Sequence, residues 1–395
     1  MSVVAGGVKK PTTPTFLTQG FRPFFVAAGL WSAAALAAWI VMIATGAALP
    51  SRLDPLAWHI HEMLFGFVMA VVAGFLLTAI PNWTGRSSVS GGLLALLAGL
   101  WLLGRIACLA SALVSPWLAV ALDLSFSVVL VAVVAHEIVA GRNWRNLPIV
   151  AVVSIFGVAN LLMHLEADGI VVPAGLGWRL GLTAAIVLIS VVAGRIVPSF
   201  TRNWLVQREV SDLPAAHGWV DRAALCTLHA GLVGWAFFPT LPALGGLLLL
   251  GAVLNLWRLL RWRGSATVAE PLLLILHIGY AWMVFGAALL GLATLDAAFP
   301  QTATIHALTA GAIGTMTLAV MTRATRGHTG RALSADRVTL VIYLLVNLAA
   351  LVRVVAVFGG AWTMSLLVGS AILWCGAFAL FVISYGPMVL FQAED

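Results

Sequence analysis

The stretch SPWLAVALDLSFSVVLVAVVAHEIVA, residues 115–140, carries a single charged residue, Asp123, before it reaches His136. The hydrocarbon core of a bilayer is about 30 Å thick, and a helix needs about 20 apolar residues to cross it. Backbone amides in lipid must find hydrogen-bond partners within their own segment. The stretch therefore predicts a transmembrane α-helix.

Runs of this kind recur along the whole chain. Of its 395 residues, 62% are hydrophobic and only 9% are charged, whereas soluble proteins carry about 25% charged residues. The composition excludes a soluble sensor or interaction module and predicts an all-α integral membrane protein with about twelve transmembrane helices. The predicted spans, numbered 1 to 12, are residues 24–45, 57–80, 90–111, 115–140, 147–166, 175–197, 219–240, 243–260, 271–293, 301–322, 336–357 and 361–385.

The charges predict the orientation of these spans. Of the 21 Lys and Arg residues, 17 fall on one side of the predicted membrane, only Arg52 and Arg179 fall on the other, and Arg105 and Arg353 lie within spans. Cytoplasmic loops are the ones that carry excess positive charge. We therefore expect a bacterial inner-membrane protein with both termini cytoplasmic. The net charge of +7 comes from positive residues in the loops on one side of the membrane. It therefore does not indicate a nucleic-acid partner.

The domain organisation follows from the spans. We predict a cytoplasmic N-terminal segment over residues 1–23, one twelve-helix transmembrane domain over residues 24–385 and a cytoplasmic tail over residues 386–395.

A faint repeat runs through the chain at intervals of 120 or 121 residues. Val71-Val72-Ala73-Gly74 recurs as Val191-Val192-Ala193-Gly194, Asn82-Trp83 as Asn203-Trp204, and Thr201-Arg202 as Thr322-Arg323. These stretches end spans 2, 6 and 10, so they indicate three units of four helices. Chance matches in an apolar chain are the alternative.

Six histidines of the predicted spans are candidate ligands. His59, His61, His164 and His306 are predicted near the outer surface, His229 near mid-depth and His277 in the inner half. Polar side chains that face lipid are costly, so these should face the bundle interior. Each alone is explained by a hydrogen bond to a neighbouring carbonyl. Together they indicate metal ligands, because imidazole is a common ligand of haem iron and copper.

The motif WHIHEMLFGF, residues 58–67, places His59 and His61 two residues apart, about 200° apart around a helix. The two should therefore serve different sites. We favour His61 as a direct ligand and expect His306, on a facing span, to resemble it. Glu62, three residues after His59, is expected to orient that imidazole, or else to be an acid that favours a helix start.

Arg105 and Arg353 lie in the outer thirds of spans 3 and 11. Buried guanidinium groups need anions, and the spans offer few acids besides Asp123. Haem propionates would serve both arginines, and pairing with Asp123 or with helix-end carbonyls is the alternative.

Two other sets of residues receive a simpler interpretation. The cysteines Cys108, Cys226 and Cys375 stand singly in apolar spans and predict small buried thiols. Arginines and tryptophans in residues 81–86, 194–204 and 321–330 predict anchors at the membrane interface, with a functional cytoplasmic patch as the alternative.

The sequence resembles the NnrS family of bacterial membrane proteins. The residues that carry the resemblance are Phe21-Arg22-Pro23-Phe24-Phe25, Trp58 to Gly66, Pro81 to Gly85, Arg195-Ile196-Val197-Pro198 with Phe200 to Trp204, and His306-Ala307 through Gly330. The resemblance implies a twelve-span inner-membrane protein that binds haem b and copper, is tied to nitric oxide and lessens nitrosative stress.

Two classes of function remain open at this point. One is a haem and copper protein that binds nitric oxide, or converts it as an oxidoreductase with an electron donor that the sequence does not name. The other is a transporter or metal-handling carrier whose histidines hold the cargo transiently. Twelve spans in a threefold array also suggest haem–copper oxidases by analogy, but span 6 lacks a histidine and no two histidines are adjacent.

Overall fold

The computed structural model describes residues 13–391, and within them every regular element is helical. Twelve long helices follow the twelve predicted spans, which confirms the prediction of an all-α protein with about twelve membrane-spanning helices. Helices α1 to α12 are Phe21–Thr45, Pro55–Thr84, Gly91–Leu109, Pro116–Ala140, Leu147–Ala167, Leu176–Val206, Trp219–Phe237, Pro242–Leu260, Pro271–Leu295, Gln301–His328, Arg337–Val355 and Thr363–Leu390. Short 3₁₀ turns are Thr15–Leu17, Ser111–Leu113, Trp144–Asn146, Gly264–Thr267, Ala356–Phe358 and Gly360–Trp362.

The loops group at two ends of the bundle, which we name by their residues. The histidine face carries loops 46–54, 110–115, 168–175, 238–241, 296–300 and 356–362, and the arginine face carries loops 85–90, 141–146, 207–218, 261–270 and 329–336.

Helix α7 is the least apolar of the twelve. Eleven spans are long and apolar enough to cross a membrane by composition, and α7 is not among them because it contains Asp221, Arg222 and His229. Asp221 is buried, and its carboxylate accepts a hydrogen bond of 2.9 Å from Nε of Arg258 on α8. This pairing offsets the cost of placing the acid inside the bundle.

Several helices extend beyond their predicted ends. Helix α6 continues from 197 to Val206 through Pro198, and α10 continues from 322 to His328, whereas the predicted spans end at residues 197 and 322. Arg323 and His328 of the α10 extension line a cavity at the arginine face, and Phe200 of the α6 extension lines the same cavity. Proline is tolerated in such helices where neighbours satisfy the freed carbonyl.

The outer limits of the bundle also differ slightly from the predicted 24–385. Helix α1 begins at Phe21 and α12 ends at Leu390. Residues 1–12 of the predicted N-terminal segment and residues 392–395 of the predicted tail lie outside the described residues.

Four helices form the centre of the bundle. Between 61% and 78% of the residues in the apolar segments of α2, α6, α9 and α10 are buried, against 33–39% in the other seven spans that cross by composition. Helices α2, α6 and α10 are the ones whose ends carry the sequence repeat. They are three of the four central helices, and the fourth, α9, carries no copy of the repeat.

Two π-helical segments interrupt these central helices. Glu62–Val68 follows His61 in α2, and Ala307–Gly314 follows His306 in α10. Each contains a glycine against which a tryptophan packs: a Cβ on Gly66 would lie 2.6 Å from Nε1 of Trp31, and one on Gly311 would lie 2.5 Å from the ring of Trp282. A π-turn holds more residues than an α-turn and is frequent at functional sites.

Three cavities lie in series among the central helices. The histidine-face cavity has a volume of about 450 Å³, the middle cavity about 90 Å³ and the arginine-face cavity about 450 Å³. The first two share the lining residues Val68 and Ile313, and the last two share Val192 and Val320. The series therefore runs from one end of the bundle to the other.

Candidate metal centre

A buried polar cluster lies between α2, α3, α4 and α5 near the histidine face. It contains His61, Cys108, Asp123 and His164, each of which offers one potential ligand atom, and these four atoms lie within 4.8 Å of one another. All four side chains are buried. The four residues form a potential metal-binding group, which we call the metal centre.

The carboxylate of Asp123 lies at the middle of this group. Its Oδ2 is 3.2 Å from Nε2 of His61 and 3.0 Å from Nε2 of His164. Asn160 donates to the same oxygen over 2.8 Å through Nδ2, while its own Oδ1 lies 2.8 Å from Nε2 of His61. One acid from α4 therefore joins side chains from α2 and α5.

Arg105 on α3 joins the two acids of the site. Its guanidinium donates to Oε2 of Glu62 over 2.7 Å and makes a short ion pair with Asp123. Trp31 donates a further hydrogen bond of 2.8 Å to Oε2 of Glu62. Arg105 thus finds its anions within the protein, and its pairing with Asp123 is the alternative that the sequence left open beside a haem propionate.

Glu62 has a different partner from the one its spacing suggested. Its Oε1 lies 3.0 Å from Nδ1 of the adjacent His61, whereas we expected it to orient His59. The π-helical segment begins at Glu62. A π-helix rotates less per residue than an α-helix, so two consecutive side chains point in more similar directions. Glu62 therefore orients the imidazole of His61 by contacting Nδ1, while Nε2 points to Asp123 and Asn160.

The charges of the cluster favour a cation. The carboxylates of Glu62 and Asp123 contribute −2 and the guanidinium of Arg105 contributes +1, which leaves a formal −1 in a site closed to water. A metal ion or a proton on an imidazole would neutralise it. Two imidazoles and a thiol are donors that copper and zinc accept in proteins, so the residues fit a metal ion of this class.

A second group of residues lines the histidine-face cavity. His59 stacks on Trp39 with ring centroids 4.2 Å apart, and its buried Nδ1 has no hydrogen-bond partner within the described chain. Nδ1 of His306 lies 2.8 Å from the carbonyl of Thr302. That bond places the proton on Nδ1 and leaves Nε2 as a lone-pair donor, the arrangement that metal-ligating histidines adopt.

Arg353 lines the same cavity. Within residues 13–391, its guanidinium has no carboxylate within 4.0 Å. A half-buried cation of this kind suits an anionic ligand in the cavity. The volume of about 450 Å³ falls in the range of roughly 300–1,000 Å³ that is usual for cofactor and ligand pockets. Two imidazoles, one unpaired arginine and this volume fit a haem.

His59 and His61 thus enter different environments, as their spacing predicted. His306, however, lies with His59 in the cavity and not with His61 in the metal centre. The expected equivalence of His61 and His306 is therefore replaced by two separate sites at the same end of the bundle.

His229 and His277 enter neither site. Nε2 of His229 lies 2.6 Å from the hydroxyl of Ser190, and Nε2 of His277 lies 2.9 Å from the hydroxyl of Thr201. In the part of the chain that the structure describes, neither belongs to a group of three or more metal-ligating side chains. Each imidazole makes one hydrogen bond through Nε2, and Nδ1 of His277 is buried without a partner in the described chain.

Sequence reasoning missed two residues of the metal centre. Cys108 was interpreted as an inert thiol, and Asn160 was not singled out. The spacing of Arg105 and Cys108, three residues apart and so on one helix face, is the signal that could have found the thiol. Of the other cysteines, Cys226 is exposed and Cys375 is half-buried, so the prediction of three buried thiols holds only for Cys108.

The fold and the site together define a class: a multi-pass helical membrane protein with a buried, potential metal-binding group between its helices. Residues 15–392 match the family described as NnrS protein, which covers nearly the whole chain. The chain belongs to the NnrS family, and the resemblance seen in the sequence is confirmed. Membership indicates a membrane protein related to nitric oxide. No curated protein matches the chain.

Proposed function

We propose that this protein binds haem b and copper in the inner membrane, binds or converts nitric oxide there and so protects the cell against nitrosative stress. The observation that carries the proposal is the pairing of two histidine sites at one end of the bundle. They are joined by His59 and His61, which stand two residues apart in α2 and reach different sites.

The histidine-face cavity is the proposed haem site. His306 would ligate the iron through its free Nε2, and His59, whose buried Nδ1 has no partner in the described chain, would line the space left for nitric oxide. Arg353 would hold a propionate. Bound haem would supply an iron at which nitric oxide coordinates. The stacked ring of Trp39 fixes the plane of the His59 imidazole.

The metal centre is the proposed copper site. His61, His164 and Cys108 would be the ligands, with Asp123 beside them. Glu62 orients the imidazole of His61, and Arg105 holds both acids in place. Oriented partners of this kind set the tautomer and the basicity of a ligating histidine.

The haem assignment predicts a specific loss. The purified protein should show a Soret band, and His306→Ala should lose most of it because the iron loses a ligand in a dry cavity. His277→Ala is the matched control, since that histidine lies outside the cavity, and it should keep the band. An absorption spectrum of each variant decides the matter. A Soret band of wild-type intensity in His306→Ala would remove His306 from the haem site.

A carrier for metal is the second candidate, and the buried group of potential ligand side chains favours it. In a carrier, such a group holds the metal cargo transiently. Purified protein without a Soret band, holding a metal that chelators remove readily, would support the carrier and overturn the haem assignment.

The orientation in the membrane is also proposed. The excess of Lys and Arg at the arginine face predicts that this face and both termini are cytoplasmic. A reporter that is active only in the periplasm should be inactive when fused after Asp395. The same reporter fused after Gly169, in a histidine-face loop, should be active. The opposite pattern would invert the topology.

A further inference from the structure

The middle cavity lies between three of the four central helices and has an apolar lining. Its walls come from α2, α6 and α10, including Val72, Ile189 and Met316. The only hydroxyl in the lining belongs to Thr317, and it donates to the carbonyl of Gly314 over 2.9 Å. No lining side chain therefore has a free polar group with which to hold a water molecule.

A space of this kind stays dry. A buried water needs two to four polar partners, and apolar cavities in proteins remain empty of water and bind xenon or small apolar molecules instead. The volume of about 90 Å³ admits a molecule of a few atoms. Small uncharged gases enter at little cost, because they lose few hydrogen bonds with water and gain dispersion contacts with the walls.

The two neighbouring cavities have several polar residues, whereas Thr317 is the one polar residue among the described residues that line the middle cavity. The arginine-face cavity is lined by Asn82, Arg195 and Arg323, so water and ions can enter it from that end. Its inner end shares Val192 and Val320 with the middle cavity. An apolar constriction excludes ions because they would have to shed water there, and arginines at its entrance repel cations.

The other end of the middle cavity opens toward the proposed haem site. Val68 and Ile313 line both the middle cavity and the histidine-face cavity. A molecule between these residues would lie directly below the space that a haem would fill. In the described chain, no Asp or Glu lines any of the three cavities, so the series offers no carboxylate path for protons.

We propose that the middle cavity is a dry docking site for a small uncharged gas of the nitric oxide class, placed between the arginine-face cavity and the haem cavity. This inference rests on the proposed function for the identity of the gas. It assigns to α2, α6 and α10 the task of holding the gas beside the haem while excluding water and ions.

Xenon tests the docking site without any haem. Crystals of the full chain under xenon pressure should show a xenon atom among Val72, Ile189 and Met316. The Val192→Phe variant places a larger side chain at the junction of two cavities and should lose this atom. Val191→Phe, one residue away and outside all three linings, should keep it. An ordered water in the wild-type cavity, or no xenon there, would overturn the proposal.

Flash photolysis of the nitric oxide complex tests the delivery to haem. Nitric oxide that leaves the iron should rebind in part from the docking site, as a separate geminate phase. Xenon pressure on the wild type should remove that phase, and so should Val192→Phe, while Val191→Phe keeps it. The phase persisting under xenon and in Val192→Phe would overturn the role of the cavity. A protein that binds xenon but has no Soret band would uphold the gas site and refute the haem.

Discussion

Arg105→Met is expected to lower the free energy of unfolding by about 3–5 kcal/mol, the cost of leaving buried charges without their partner. In the native protein the guanidinium is only 2% exposed and contacts both Glu62 and Asp123. Methionine has a similar length and keeps the packing. The two carboxylates would then face each other in a dry site with no cation between them.

The matched control is Arg52→Met. Arg52 pairs with Asp168 at 3.6 Å and its side chain is 36% exposed, so water screens the pair and the loss should be at most about 1 kcal/mol. Chemical unfolding of both variants in the same detergent gives the comparison. Equal losses in the two variants would mean that the buried cluster is not the charge network described above. Adding Asp123→Asn to Arg105→Met should recover part of the stability, since one of the unpaired charges is then removed.

His61→Ala is expected to abolish copper binding and leave the haem in place. The imidazole of His61 lies in the metal centre with Cys108 and His164, while His306 lines the separate cavity. A site that loses one of three ligands in a region closed to water cannot recruit a replacement. Cys108→Ser should behave in the same way, because a hydroxyl is a poor substitute for a thiolate toward copper.

The converse variants make the assignment specific. His306→Ala should keep copper and lose the Soret band, and His229→Ala should keep both. Glu62→Gln should weaken copper binding by roughly 10–100-fold, the usual effect of removing a group that orients a ligand. Copper analysis and optical spectra of the five purified variants decide between one shared site and two. If His61→Ala retained wild-type copper, the metal centre would be a structural hydrogen-bond network only.

Much of the fold could be predicted from the sequence alone. In a bilayer every span must be about 20 residues long and must form a helix that satisfies its own backbone hydrogen bonds. The prediction was least accurate at the arginine-face ends of α6 and α10. These helices run past their apolar segments, and the added residues Phe200, Arg323 and His328 line the arginine-face cavity. Helix α7 was predicted although it is less apolar than its neighbours, and its Asp221 is neutralised by Arg258 from the next helix.

The candidate site could be predicted only in part. The depth of His59, His61, His164 and His306 follows from counting along each span. The contacts between these histidines and other helices could not be derived. Apolar residues surround each helix in this chain, so no hydrophobic periodicity marks the face that points into the bundle. Helices in lipid associate through packing and interhelical hydrogen bonds more than through a hydrophobic stripe. Interhelical contacts such as that between His164 and Asp123 therefore cannot be predicted from the spacing of residues along the sequence.

The sequence by itself determined the number of helices, the apolar thickness that they cross and the end of the bundle at which the outer histidines lie. Hydrophobic length and charge bias act locally along the chain, and that is why they can be read from it. The tertiary structure alone decided that Asp123 joins His61 to His164, that Arg105 is paired within the protein and that Glu62 turns to His61. These outcomes depend on how α2 to α5 are rotated against one another and on a π-turn that starts at Glu62. Both are set by side-chain packing between helices distant in sequence.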